Sequence, residues 1–288
     1  MVNLESNRLT FCGFAEDATD ARVLVYGAPY DSTCSFRPGT RFAPARMREE
    51  SFGLETYSPY QDLDLLNYKV YDLGDLELPF GVQTKTLQTL EEQTAQILAK
   101  KAIPLMIGGE HLLTLGPVRE CVKHYPNLEI VHFDAHTDLR DDYLGNELSH
   151  ASVIKRCWEL VGDQKIHSFG IRSGLKEEFA FAKEHLDFHP LTLDDASLVA
   201  EKLASAKTPI YLTLDLDVLD PSVLPGTGTP EPGGATFMQL LNALLAYKDC
   251  NIVGIDIMEL SPHYDQSGVS TAAACKILRE LCIMLASK

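Results

Sequence analysis

Short runs rich in Val, Ile and Leu recur along the chain, and helix-forming stretches lie between most of them. The runs are ARVLVYG (21–27), YKVYDLG (68–74), IPLMIGG (103–109), LEIVHFDAH (128–136), KIHSFGIR (165–172), PIYLTLDLD (209–217) and NIVGIDIMEL (251–260), with FHPLTL (188–193) as a weaker eighth. They are nearly continuous rather than alternating, the pattern of strands covered on both faces in a parallel sheet. Helical spacing fills 86–101, 114–124, 149–160, 175–186, 195–206, 235–248 and 269–286; in the first of these, positions 87, 90, 94, 97 and 98 fall on one face. Strands alternating with helices predict an α/β fold with a parallel sheet. Right-handed crossovers place the helices on both of its faces.

No internal repeat or low-complexity linker divides the chain. The stretch PGTGTPEPGG (225–234) falls between a strand and a helix, so it reads as a long active-site loop rather than a boundary. Residues 1–288 are expected to form a single domain, long enough for a substantial core.

Charge and cysteine usage narrow the function classes. Forty-one Asp and Glu against 25 Lys and Arg give a formal net charge of −16. Nucleic acid and anionic membrane would be repelled, whereas small cations would be attracted. The seven cysteines are scattered and form no CxxC pair, so a reducing compartment fits better than a disulfide framework. The start MVNLESNRLTFCGF lacks a basic segment followed by an apolar run, and no stretch reaches 18 apolar residues. A cytoplasmic, soluble protein is expected, with no nucleic-acid or membrane partner.

The polar residues that carry chemistry follow the strands. His111 comes just after IPLMIGG; Asp134, His136 and Asp138 end the EIVHF run; Asp215, Asp217 and Asp220 end IYLTL; Glu259 ends IVGIDIM. The carboxyl ends of strands form the ligand-binding edge of an open parallel sheet. In extended chain, residues two apart point the same way, so each run is expected to aim its polar set into one space. Four carboxylates meeting there cannot all stay ionised unaided. Two divalent ions would balance Asp134, Asp138, Asp215 and Asp217, with His111 and His136 completing six ligands. Oxygen-rich ligands with imidazole and no thiolate favour Mn²⁺, with Co²⁺, Ni²⁺ or Zn²⁺ as other occupants. Two such ions about 3.5 Å apart could share a hydroxide as nucleophile.

Taken singly, each motif has an ordinary explanation. DxHxD can be a surface turn with a helix cap, DxDxxD a solvated turn, His111 a hydrogen-bonded loop residue and Glu259 a strand-end charge. Their joint occurrence at successive strand ends is what argues for a site.

The segments GGEH (108–111), FDAHTD (133–138), LSHAS (148–152), LDLDVLDPSVLPGTGTPEPGG (214–234) and DIMELSPHYD (256–265) resemble the ureohydrolase (arginase–agmatinase) family. So does GAPYDSTCSFRPGTRFAPARMR (27–48), similar to the family's N-terminal loop. The resemblance runs from about residue 22 to 285. It implies a three-layer αβα sandwich of arginase/deacetylase type, with a central, mainly parallel sheet of about eight strands. It also implies two Mn²⁺ ions per subunit. His111, Asp134, Asp138 and Asp215 would hold one; His136, Asp134, Asp215 and Asp217 would hold the other; Asp134 and Asp215 would bridge. The implied reaction is hydrolysis of a guanidinium group to urea and an amine, in a trimer or hexamer. Asp138 would transfer the proton. Glu259 would pair with the substrate's nitrogens. His150 matches the family's proton-shuttling histidine, although a histidine at a helix N-terminus accounts for it equally. Two departures are Glu110, where the family more often has Asp, and Ala151, where many members have Gly.

Within that family the loop LRDDYLGNELSH (139–150) bears on the substrate. Asp141, Asp142 and Glu147 would repel the α-carboxylate of arginine, against which Arg140 and Asn146 stand as possible donors. The expected substrate is agmatine, yielding putrescine and urea. Arginase or formimino-compound activity, guanidinobutyrate hydrolysis, and a non-catalytic metal- or polyamine-binding role stay open.

Overall fold

Each of the eight apolar runs supplies one strand of a single sheet. The computed structural model describes residues 9–288; part of the amino-terminal stretch read above for a leader, residues 1–8, lies outside them. The strands are β1 (Val23–Ala28), β2 (Tyr57–Ser58), β3 (Leu63–Asp64), β4 (Val70–Asp75), β5 (Ile103–Gly108), β6 (Glu129–Phe133), β7 (Ile166–Phe169), β8 (Asp187–His189), β9 (Pro209–Asp215) and β10 (Asn251–Met258). The α-helices are α1 (Ala43–Glu50), α2 (Gln83–Ala99), α3 (Leu115–His124), α4 (Val153–Val161), α5 (Lys176–His185), α6 (Ala196–Ala206), α7 (Phe237–Leu245) and α8 (Val269–Ala286). Eight strands pair in the order β4-β1-β5-β10-β9-β6-β7-β8, every pairing parallel, while β2 and β3 form a separate antiparallel ribbon.

Alternate strand residues feed two apolar clusters, one on each side of the sheet. Ile210, Leu212 and Leu214 of β9 join Ala43, Leu203, Leu244 and Leu281 of α1, α6, α7 and α8. Leu24 and Tyr26 of β1 join Leu90, Val118, Ile154 and Ala182 of α2, α3, α4 and α5. This makes three layers, as expected, and explains why the runs are continuous: neither face of a central strand meets water. Each buried Leu or Ile contributes about 1.5–3 kcal/mol.

The chain order places the site. After β5 the chain crosses to β6 and leaves a gap of two strands, filled later by β9 and β10. Crossovers diverge on either side of that gap, so a crevice opens at the carboxyl ends of β5, β10, β9 and β6. Register aligns these ends, with Ile257 beside Ile107, Met258 beside Asp215, and Leu214 beside Phe133.

The structure departs from the sequence reading in places. Residues 43–50 form α1, overlapping the end of the segment 27–48 that resembles a loop; Pro44 at its first turn starts it, and its apolar residues are too sparse to show helical spacing. The β6 strand ends at Phe133 and β9 at Asp215, so DAHTD and the residues after Asp215 lie beyond the strands.

Candidate metal centre and substrate pocket

The six residues expected to hold metal meet in one buried cluster. His111 Nδ1 lies 3.0 Å from Asp134 Oδ2, 3.2 Å from Asp138 Oδ2 and 3.4 Å from Asp215 Oδ2. His136 Nδ1 lies 2.9 Å from Asp217 Oδ2 and 3.5 Å from Asp134 Oδ1. Asp134 faces both imidazoles. All six are buried except His136, which is partly exposed.

Turns, rather than the expected extended backbone, bring the side chains together. The His136 N–H donates to Asp134 Oδ1 at 2.6 Å, and the Asp217 N–H donates to Asp215 Oδ1 at 2.8 Å. Each leading aspartate thus curls its own loop back. Asp217 sits in a 3-10 turn, Leu216–Val218, and Oδ1 of Asp217 accepts the Ala135 N–H at 3.1 Å, tying the two loops. Asp138 and Glu259 have φ of 51° and 64°, left-handed conformations that cost a non-glycine residue roughly 1–3 kcal/mol. Such strain concentrates where a side chain must point one way.

Burial and mutual repulsion govern the cluster's ionisation. Burial, then repulsion from Asp217 and Asp134, pushes Asp215 well above the ordinary carboxylate range. Burial, then Asp134, pushes Asp138 up to about 7. Against burial, the facing imidazoles of His111, His132 and His136 hold Asp134 well below that range. Burial opposes a charge on His111, but the carboxylates of Asp134, Asp138 and Asp215 outweigh it and raise the imidazole. Divalent cations would relieve this frustration.

The donors fit such ions. His111 Nδ1 is buried and makes no hydrogen bond, although three carboxylate oxygens surround it. With metal–ligand bonds of about 2.1 Å, neighbouring ligands at right angles stand about 3 Å apart, close to these separations. The cluster is capable of binding metal: Asp134, His136 and Asp217 form one compact ligand group, and His111, His132 and Asp134 form another. His132 is not a residue the sequence reading singled out. Both its ring nitrogens are engaged, Nδ1 with Ser168 Oγ at 3.0 Å and Nε2 with Asp134 Oδ2 at 2.9 Å. It therefore orients Asp134, whereas His111 offers a free nitrogen.

A cavity of about 270 Å³ opens over the cluster, lined among others by His136, Asp138, Arg140, Tyr143, His150 and Glu259. Glu259 is buried; its Oε1 accepts the His111 N–H at 2.7 Å. Burial, opposed by that hydrogen bond, raises its carboxyl well above the ordinary range.

His150 begins a 3-10 turn, His150–Ser152, that runs into α4. Its Nε2 lies 3.2 Å from Ser35 Oγ and its N–H donates to Thr33 Oγ1 at 3.0 Å. Thr33 in turn donates its N–H to Glu110 Oε2 at 2.7 Å and its hydroxyl to Glu110 Oε1 at 2.9 Å. The departing residue Glu110 thus holds the loop that holds His150. Burial pushes the His150 imidazole down to about 4, so it is neutral at neutral pH. Gly109 permits this arrangement, because a side chain there would overlap the Tyr30 carbonyl.

Arg172, also absent from the sequence reading, anchors the PGTGTPEPGG loop. Its guanidinium donates to the carbonyls of Asp217 at 2.7 Å, Glu231 at 2.7 Å, and Gly170, Val218 and Leu219 at 3.2–3.3 Å. Gly234 makes room, since a Cβ there would stand 2.6 Å from Arg172 Nη2.

The sheet, its carboxyl-edge crevice and the His/Asp cluster define an α/β protein equipped to hold metal beside a small-molecule pocket. The profile of the Arginase family matches residues 21–284, and the chain belongs to that family. It is a hydrolase of that family. It is 46% identical over 268 residues to the agmatinase of Bacillus cereus, covering 92% of each chain. It is 41% identical over 248 residues to the N(1)-aminopropylagmatine ureohydrolase of Thermococcus kodakarensis, covering 84% of this chain and 83% of that one. The crystal structure of agmatine ureohydrolase of Thermoplasma volcanium superposes with a TM-score of 0.87 at 32% identity, covering 96% of this chain and 94% of that one. Among the described residues, no helix is long and apolar enough to cross a membrane.

Proposed function

We propose that the protein is a cytoplasmic, single-domain, homo-oligomeric enzyme, a trimer or hexamer, that hydrolyses agmatine to putrescine and urea with two Mn²⁺ ions per subunit. His111, Asp134, Asp138 and Asp215 would hold one ion. His136, Asp134, Asp215 and Asp217 would hold the other, with Asp134 and Asp215 shared. The carrying observation is the unpartnered His111 Nδ1 within 3.0–3.4 Å of three carboxylates. The names of the Bacillus and Thermoplasma relatives support the substrate class.

When bound, the ions supply a strong nucleophile from water at neutral pH. The chain's own groups do the rest. Glu259 binds the substrate's guanidinium: one carboxylate oxygen is committed to the His111 N–H, and the other is left for the planar N–H donors. Burial strengthens that pairing, because a cation entering beside a desolvated carboxylate restores its preferred charge. Asp138 accepts the proton from the attacking water and passes it to the leaving amine. His150, neutral and held by Ser35 and Thr33 at the cavity wall, moves protons between the site and solvent. Tyr143 stands edge-on to His150, with ring centroids 5.9 Å apart, and gives the substrate's methylene chain an apolar wall.

A second reading, a guanidino acid as substrate, draws on Arg140, which lines the same cavity with its guanidinium 4.7 Å from the Tyr143 ring centroid. Asp141 and Asp142 beside it weigh toward the dication. Urea release should be compared for agmatine, N(1)-aminopropylagmatine, arginine and guanidinobutyrate in the presence of Mn²⁺. Preference for agmatine is expected; preference for either acid would overturn the assignment.

A further inference from the structure

A polar column lies one layer beneath the metal cluster, where the strands are otherwise apolar. Thr213 of β9 sits beside His132 of β6 on one side and Asp256 of β10 on the other, and all three are completely buried. Thr213 donates its hydroxyl to Asp256 Oδ1 at 2.7 Å, and Tyr211 donates to Asp256 Oδ2 at 2.8 Å. Thr213 Oγ1 also lies 2.9 Å from His111 Nε2 and 3.3 Å from Thr114 Oγ1.

A threonine hydroxyl has one proton to give and two lone pairs. The proton of Thr213 is directed at the Asp256 carboxylate. Its lone pairs therefore face His111 Nε2 and the Thr114 hydroxyl, and Nε2 must carry the hydrogen. The reverse arrangement would turn a lone pair of Thr213 against the carboxylate and place a hydrogen on His111 Nδ1, the nitrogen that three aspartates surround. Only the first arrangement leaves Nδ1 with a free electron pair.

We propose that Thr213 and Asp256 are positioning residues that fix His111 as its Nε2–H tautomer and so present Nδ1 to a metal ion, an inference that rests on the two-ion reading above. Neither residue touches the substrate pocket. They act through His111, as outer partners of ligating histidines generally do, where removal weakens metal binding about 10- to 100-fold.

The test is Mn²⁺ titration of the metal-depleted full-length protein by calorimetry, comparing the unsubstituted chain with Thr213→Val, Thr213→Ser and Asp256→Asn. Two ions should bind the unsubstituted chain; fewer would defeat the two-ion reading and not the relay as such. Given two, Thr213→Val should weaken one binding step about 10- to 100-fold more than the other. Thr213→Ser, which keeps the hydroxyl, should restore it. Asp256→Asn can present an amide hydrogen to Thr213 and turn its proton toward His111; it should weaken the same step. Unchanged isotherms, equal weakening of both steps, or failure of the serine to restore binding would each overturn the relay. Should the valine variant not fold, the contrast between Thr213→Ser and Asp256→Asn decides the matter by the same criteria.

Discussion

The main-chain N–H of His111 donates to Glu259 Oε1 at 2.7 Å, so the loop that leads into the metal cluster and the carboxylate over the pocket share one hydrogen bond. The two residues are 148 apart in sequence and follow the adjacent strands β5 and β10. Glutamine at 259 can still accept that N–H but carries no charge. Glu259→Gln is expected to keep its Mn²⁺ content while kcat/KM for agmatine falls roughly 10- to 100-fold, the loss of one charge-assisted pair. Wild-type kinetics with this variant would make Glu259 a structural residue only.

Asp134 and Asp215 are the proposed shared ligands, and removing either should cost more metal than removing an unshared one. Asp134→Ala and Asp215→Ala should each lose bound metal, measured by elemental analysis after gel filtration. Full occupancy in either variant would contradict the ligand set.

Chelation should lower thermal stability, because ions that bind the folded state and not the unfolded chain stabilise it by mass action. At Mn²⁺ concentrations about 100 times the dissociation constant, each site adds roughly 2.7 kcal/mol to the folded state. For a chain of 288 residues each kcal/mol shifts Tm by roughly 1.5–2 °C. Scanning fluorimetry with and without EDTA checks this; an unchanged Tm would argue against bound metal.

Arg172 makes its contacts entirely with carbonyls, so a lysine, with three donors and no fork, cannot replace it. Arg172→Lys should loosen residues 225–235, seen as faster amide exchange there. Unaltered exchange would show that the loop holds itself.

On β7, His167 bridges Asp187 at 2.6 Å and Glu129 at 2.8 Å. Burial opposes its charge, yet the two carboxylates raise its pKa. His167 in turn holds Asp187 down at about 2. A raised histidine gives stability that is complete below its unfolded pKa of about 6.5 and is lost as pH rises through the folded value. The depressed aspartate gives stability present above about 3.9 and lost as pH falls toward its folded value. Urea midpoints relative to His167→Gln should therefore be most favourable between about pH 4 and 6.5 and converge at higher pH. A constant difference up to pH 9 would contradict the ion pair.

Much of this was legible before the fold was seen, for reasons that can be stated. Continuous apolar runs reported a doubly covered sheet, and strand ends reported the ligand edge. His111, His136 and the four aspartates gather where their position at strand ends predicts, but turns rather than extended spacing aim them: Asp134 and Asp215 fold their own loops by hydrogen bonds two residues on. His132, Thr213 and Asp256 did leave a trace, as polar residues inside apolar runs, but their pairing depends on strands that are neighbours only because β9 and β10 enter the gap between β5 and β6. Thr33 and Glu110 stand far from His150 in sequence, and Arg172 binds backbone, which carries no sequence signal.

The sharpest test is diffraction from Mn²⁺-soaked crystals at the manganese absorption edge. Two anomalous peaks roughly 3.5 Å apart are expected, with Asp134 and Asp215 touching both and His111 Nδ1 touching one. A single peak, or none among these side chains, would contradict the two-ion site on which the chemistry depends.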